Sequence, residues 1–199
     1  MTTANPIRRA ALGAATACAA VLLAACGGGE HTGAHGAPAA PATADTHNAQ
    51  DVTFAQGMIP HHQQALEMAR LAPRHAASAR VKALAARIEQ AQDPEIRTMT
   101  GWLKSWGEEP QMAGMDHSRH GGDAGMSGMM SAEDMTSLEK STGADFDRKF
   151  LTLMTAHHQG AVEMAGTEQA EGRDGRAIRM ADQVITAQSA EIKEMEGLL

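Results

Sequence analysis

The chain has 199 residues, with 14 Met and 10 His but only 2 Cys, 3 Phe, 2 Trp and no Tyr, and 17 basic against 24 acidic residues. Too few cysteines exclude a disulfide scaffold, a formal charge of −7 argues against a nucleic-acid partner, which calls for a basic field, and too few aromatics disfavour a large β-sandwich. What remains is an Ala-rich helical chain with a surplus of soft side chains.

Residues 1–25 read as an export signal. Arg8 and Arg9 precede an apolar run from Ala10 to Ala25. The run is short for a membrane span and ends in small residues, as a secretory signal does. Leu23-Ala24-Ala25-Cys26 then looks like a bacterial lipobox, with Cys26 as the lipid-bearing first residue of the mature chain. An ordinary cleaved signal is the alternative. Cleavage removes Cys18, and lipidation leaves no free thiol, which suits an oxidising compartment. The expectation is anchoring on the extracytoplasmic face of a bacterial membrane through Cys26.

Residues 26–50 are rich in Gly, Ala, Pro and Thr and read as a disordered tether, because they bury too little to offset their ordering entropy. His31, His35 and His47 fall in it as incidental residues.

From Asp51 onward the chain repeats itself at an offset of 96 residues. Asp51, Phe54, Met58, His61, His62, Gln63, Ala65, Glu67, Met68 and Ala69 meet Asp147, Phe150, Met154, His157, His158, Gln159, Ala161, Glu163, Met164 and Ala165. The match continues through Gln92, Glu95, Ile96 and Met99 onto Gln188, Glu191, Ile192 and Met195. Two copies point to a duplicated helical hairpin rather than a solenoid. Residues 51–199 are therefore expected to be one all-α domain, a four-helix bundle.

Helices are predicted over 51–70 and 78–105, and again over 145–170 and 174–198. Ala72-Pro73 and Gly172 to Gly175 mark the breaks, and His75 reads as a solvated turn residue. Pro60 falls inside the first helix, where a kink is expected. At about 100° per residue, Asp51, Phe54, Met58, His61, His62, Ala65, Met68 and Ala69 share one face. Glu67 points away. Leu84, Ile88, Ala91, Met99 and Trp102 form the second stripe, with Glu95 in its middle. Met180, Val184, Ala187, Met195 and Leu198 repeat it around Glu191. Met99, Met180 and Met195 read as core filler.

Residues 106–143 make a long connection for a bundle, with a short helix predicted over 131–140, capped by Ser131 with Asp134 at its third position. Met112, Met115, His117, His120, Met126, Met129 and Met130 sit there among Gly, Asp and Ser, with almost nothing to pack against. Loose Cu(I) or Ag(I) coordination is the physical use proposed for them; compositional drift is the alternative.

Two His-His pairs on faces predicted to be interior need partners, because burying polar groups is costly. Facing helices of a bundle build metal sites in this way, and imidazole with thioether suits copper, Cu(I) especially. Glu95 and Glu191 serve either as direct ligands or as acceptors of a ligand histidine's second N–H.

Met58-Ile59-Pro60-His61-His62-Gln63-Gln64-Ala65-Leu66-Glu67-Met68-Ala69, its echo from Met154 to Ala165, and the Gln92…Glu95-Ile96…Met99…Trp102-Leu103 tail closely resemble the domain-of-unknown-function 305 family. The resemblance covers about 51–199. It implies a ferritin-like four-helix bundle, export, and copper binding as described for some members. It places metal ligands at His61, His62, Met58, Met68, His157, His158, Met154 and Met164.

The expected function is thus a lipid-anchored copper-binding protein that buffers or sequesters copper and is not an enzyme. A metal-free structural or partner-binding bundle is the alternative. A metal-dependent oxidase ranks below both, because the helices contain no Glu-x-x-His, and there is no zinc-protease or nucleophile-elbow motif.

Overall fold

The computed structural model describes residues 47–110 and 127–199. Among them are five helices and no strand: α1 (Ala49–His75), α2 (Ala79–Trp106), α3 (Ala132–Lys140), α4 (Gly143–Glu171) and α5 (Gly175–Glu196). The four long helices form the duplicated bundle that the repeat predicts, and α3 is the short helix expected in the connection. Its capping box is formed by Ser131 and Asp134. Cys26, Met112, Met115, His117, His120 and Met126 lie outside the described residues.

Two apolar cores are stacked along the bundle. The first takes Phe54, Ala55, Met58 and Ile59 from α1, Met99, Trp102 and Leu103 from α2, Ala161 and Ala165 from α4, and Ala177, Met180, Ala181 and Val184 from α5. The second takes Ala65, Met68, Ala69 and Ala72, then Val81, Leu84, Ala85 and Ile88, then Phe146, Phe150, Leu151 and Met154, with Met195 and, from α3, Leu138. Each core mixes the copies: Met58 and Met99 pack with Met164 of the second copy, and Met154 and Met195 with Met68 of the first.

The order of residues in these cores gives the direction of each helix. α1 and α5 run from the first core to the second, and α2 and α4 run back. Because α2 and α4 point the same way, the chain must return the full length of the bundle between them. This is the physical reason for the long connection, and a long crossover is a hallmark of ferritin-like bundles.

Two helix starts are tied to the opposite hairpin by equivalent aspartates. Asp51 Oδ1 accepts the backbone N–H groups of Arg173 (3.0 Å) and Asp174 (2.9 Å), which turn α4 into α5. Asp147 accepts those of Ala77 (3.2 Å) and Ser78 (2.9 Å), which turn α1 into α2. The two latches are related by the 96-residue repeat. Their surroundings differ: Asp51 also accepts Asn48 N–H in the capping box of α1, and Glu168, fully buried with neither oxygen hydrogen-bonded among the described residues, stands where the first copy has Ala72. Burial and the adjacent Asp51 push its carboxyl up to about 8. Burial also pushes Asp51 up, but the adjacent Glu168 carboxyl, itself held protonated, and the hydrogen bonds from the amides of Asn48, Asp174 and Arg173 outweigh it and hold Asp51 below its ordinary value.

Four local expectations need correction. Helix α1 does not break at Ala72-Pro73 but runs on to His75, closed by Ala76 N–H donating to Ala72 O at 3.0 Å. His75 is not a free turn residue. Its Nδ1 lies 2.8 Å from Ser141 O and its ring packs 5.5 Å from Phe146, which anchors the last turn. Ala91 and Ala187 are exposed, and the buried positions beside them belong to Gln92 and Gln188. The folded part begins before Asp51: Asn48 caps α1 and His47 stacks on Trp106 at 4.7 Å.

Candidate metal centre

Between the two cores each long helix changes character. On α1, the apolar sequence Phe54–Ile59 gives way to His61 and His62 before resuming at Ala65. On α4 the break falls at His157 and His158. On α2 it falls at Gln92 and Glu95, and on α5 at Gln188 and Glu191. A polar belt of eight side chains therefore crosses the middle of the bundle, two from each long helix. The four histidines are fully buried; Glu95 and Glu191 reach its edge, with 23% and 18% of their side chains exposed.

Among the described residues the belt is only partly satisfied. His62 Nε2–H donates to Glu95 Oε2 at 2.8 Å, and His158 Nε2–H donates to Glu191 Oε2 at 2.8 Å. His61 Nε2 lies 3.2 Å from the carbonyl of Ser127. A carbonyl only accepts, so this nitrogen carries the proton. All three rings are then the tautomer with its lone pair on Nδ1, and all three Nδ1 atoms are buried without a partner. His157 has no partner on either nitrogen. The Oε1 atoms of Gln92 and Gln188 are equally unpaired. Leaving one such group unsatisfied typically costs about 1–3 kcal/mol, and the belt concentrates several such groups, most of them acceptors open to a proton donor or a metal ion.

His61 and His157 meet where α1 crosses α4, with ring centroids 3.8 Å apart and planes tilted by 40°. Burial and the neighbouring His62 push His61 down to about 3. Burial and the facing His61 hold His157 well below its ordinary value. Both rings are therefore neutral at physiological pH, the form that ligates a metal.

The methionines divide by height. Met58 and Met154 precede the histidine pairs by one turn, about 5 Å of helix rise. Met68 and Met164 follow them by about 10 Å. Met58, Met68 and Met154 are buried and Met164 is partly buried, all against the two cores. Met99, Met180 and Met195 are buried core residues as expected. Met130 departs from the expectation of an unpacked loop residue: it lies against the second core, and its backbone exchanges two hydrogen bonds with the Gln64 amide. Met129 is half-buried. Among the described residues no three His, Cys, Asp or Glu side chains are grouped to enclose a metal ion as they stand.

Sequence reasoning missed Gln92 and Gln188. Both are identities of the repeat, one turn before Glu95 and Glu191, and that recurrence was the available signal.

An all-helical, ferritin-like bundle made of two copies of a hairpin, with histidine pairs on two facing helices, defines a class. The chain belongs to the DUF305 family: the model for that domain of unknown function matches residues 51–199. A family member from Streptomyces coelicolor, described as a candidate secreted protein, has a crystal structure similar to this one at a TM-score of 0.68 and 33% identity, covering 75% of this chain and 91% of that one. CopM in its Cu(I)-bound form is similar at a TM-score of 0.61 and 31% identity, covering 74% and 94%. CopM in its Cu(II)-bound form is similar at 0.63 and 34%, again covering 74% and 94%. No curated protein matches the chain.

Proposed function

We propose that the chain is an exported, lipid-anchored copper-binding protein that buffers or sequesters copper, and that the polar belt is its principal site. The observation that carries this reading is the set of buried, unpaired ring nitrogens on His61, His62, His157 and His158. Buried imidazole lone pairs suit Cu(I), and the thioethers of Met58 and Met154 add the soft donors that select it. Glu95 and Glu191 act as holders rather than ligands. They accept the Nε2–H of His62 and His158, fix the tautomer, and offset the positive charge of the ion. The copper-bound forms of CopM support the reading by similarity. The lipobox-like Leu23 to Cys26 supports the anchor, and no catalytic step is part of this role.

Titrating Cu(I) and Cu(II) into the chain tests it. Binding in the micromolar range or tighter is expected, lost when His61, His62, His157 and His158 are replaced together. Absence of binding, or binding indifferent to that fourfold change, rejects it. The lack of a preformed three-ligand group among the described residues favours one second reading, a metal-free structural or partner-binding bundle. A structure grown with copper and showing metal-free His pairs would establish that reading instead.

A further inference from the structure

The buried histidine pair has a cover that is not a helix. Ser127 to Met130 runs across α1 and α4 at the height of the belt, just before α3. Its contacts are specific. Ser127 O accepts His61 Nε2–H, Ser127 Oγ–H donates to Glu163 Oε2 at 2.6 Å, and the Gln64 amide takes Met130 N–H at 2.7 Å while donating to Met130 O at 2.9 Å.

The passage lies directly on the backbone of α4. Gly128 has φ +80°, and a Cβ there would meet Ala156 O at 2.8 Å and His157 O at 2.9 Å. A Cβ on Gly160 would collide with the Ser127 carbonyl. Gly160 stands where the first copy has Gln64. At this one pair of equivalent positions, one copy removes its side chain to admit the segment and the other uses its side chain to grip it.

We propose that Ser127–Met130 is a strap over the His61/His157 pair, and that its local release admits and discharges the ion. The identity of the cargo rests on the copper reading above. The strap itself rests on metal-free geometry. Both rings are fully buried, so some element must move before any solute reaches them. Parting α1 from α4 would open both apolar cores. Releasing the strap breaks four hydrogen bonds made by a short non-helical segment and lifts only the partly buried Met130 from the edge of the second core, and openings of this small kind are the ones that occur well below the global unfolding free energy. Release also frees His61 Nε2 from its carbonyl, so opening the strap and unlocking the ring tautomer are one event.

The test uses the metal-free full chain and diethyl pyrocarbonate, with sites of modification read by mass spectrometry. Gly160→Ala displaces the strap from α4, and Gln64→Ala removes its grip at Met130. Each is expected to raise modification of His61 and His157 about tenfold, the range of a modest shift in a local opening equilibrium. Helix content and the rate at His75, remote from the belt, stay unchanged. Unchanged rates at His61 and His157 in both variants overturn the proposal. If Gly160→Ala does not fold, Gln64→Ala decides, since it removes only a partly buried amide. In the copper-loaded chain the same variants are expected to lose Cu(I) to a chelator about tenfold faster. A wild-type chain that takes up no copper, with variants that still modify faster, rejects the cargo and keeps the strap.

Discussion

His61 and His157 occupy equivalent positions in the two copies and face each other at 3.8 Å, yet their surroundings differ: among the described residues, the ring of His61 is tied to the Ser127 carbonyl and that of His157 has no hydrogen-bond partner. The two copies are thus equal in sequence at this point and unequal in chemistry. His157 is the less committed ring and, on the copper reading proposed above, the better first ligand for an arriving ion.

Replacing His157 by Leu removes two buried polar atoms that have no partner. The metal-free protein is expected to gain about 1–3 kcal/mol, the usual cost of one unsatisfied buried group, while copper affinity falls. Urea unfolding with and without copper measures both. Equal loss of stability in the two states would show that the ring serves only packing.

The pair also makes the metal-free fold sensitive to acid. Folded His61 titrates at about 3, against 6.5 for the free side chain. Between those values the unfolded chain binds the extra proton, so the contribution of His61 is fully present above pH 6.5 and is lost as pH drops toward 3. Urea midpoints at pH 7, 5.5 and 4.5 should decline, and His61→Asn should flatten the decline.

Glu168 has the opposite sign. Its folded carboxyl titrates near 8 against 4.5 when free, so the folded state holds the proton through that window. The contribution of Glu168 is greatest below pH 4.5 and is lost as pH rises toward 8. Glu168→Gln should remove this alkaline component, raising stability at pH 8 by about 1 kcal/mol or more, since each pH unit in the window is worth up to about 1.4 kcal/mol. Melting curves from pH 5 to 9 check it. The first copy, with Ala72 at the equivalent site, has no such component.

The methionines separate by height. Met58→Leu and Met154→Leu conserve volume and should cost under about 1.5 kcal/mol of stability, while weakening Cu(I) binding about tenfold and Cu(II) binding less. Met68→Leu and Met164→Leu, about 10 Å along the helix from the histidines, should leave both affinities unchanged. Competition against a Cu(I) chelator distinguishes the two pairs.

The helices and their duplication were legible because apolar residues recur at helical spacing and because Asp51–Ala69 returns at 147–165. The buried histidines were legible for the same reason. Gln92 was not, since on a helical wheel it borders Ala91, and only the packing of neighbouring helices decides which of the two turns inward. The role of Asp51 and Asp147 was hidden because each binds the turn of the other hairpin, far away in sequence. His75 looked solvated because the carbonyl that orders it belongs to Ser141. The strap was least visible of all: Gly160 acquires meaning only when Ser127 is seen lying on it.

The exchange of methionines between the two cores bears on how such a chain can arise. Neither hairpin encloses a core alone, so a single hairpin would have to find a second copy, and its stability would depend on concentration. Fusion makes that encounter intramolecular. It also releases the two halves from identity. A symmetrical pair would carry Gln or Gly at both positions 64 and 160, and either both faces would grip a crossing segment or neither would. One continuous chain can hold the segment on one face and yield to it on the other, giving a two-fold scaffold a one-sided entrance.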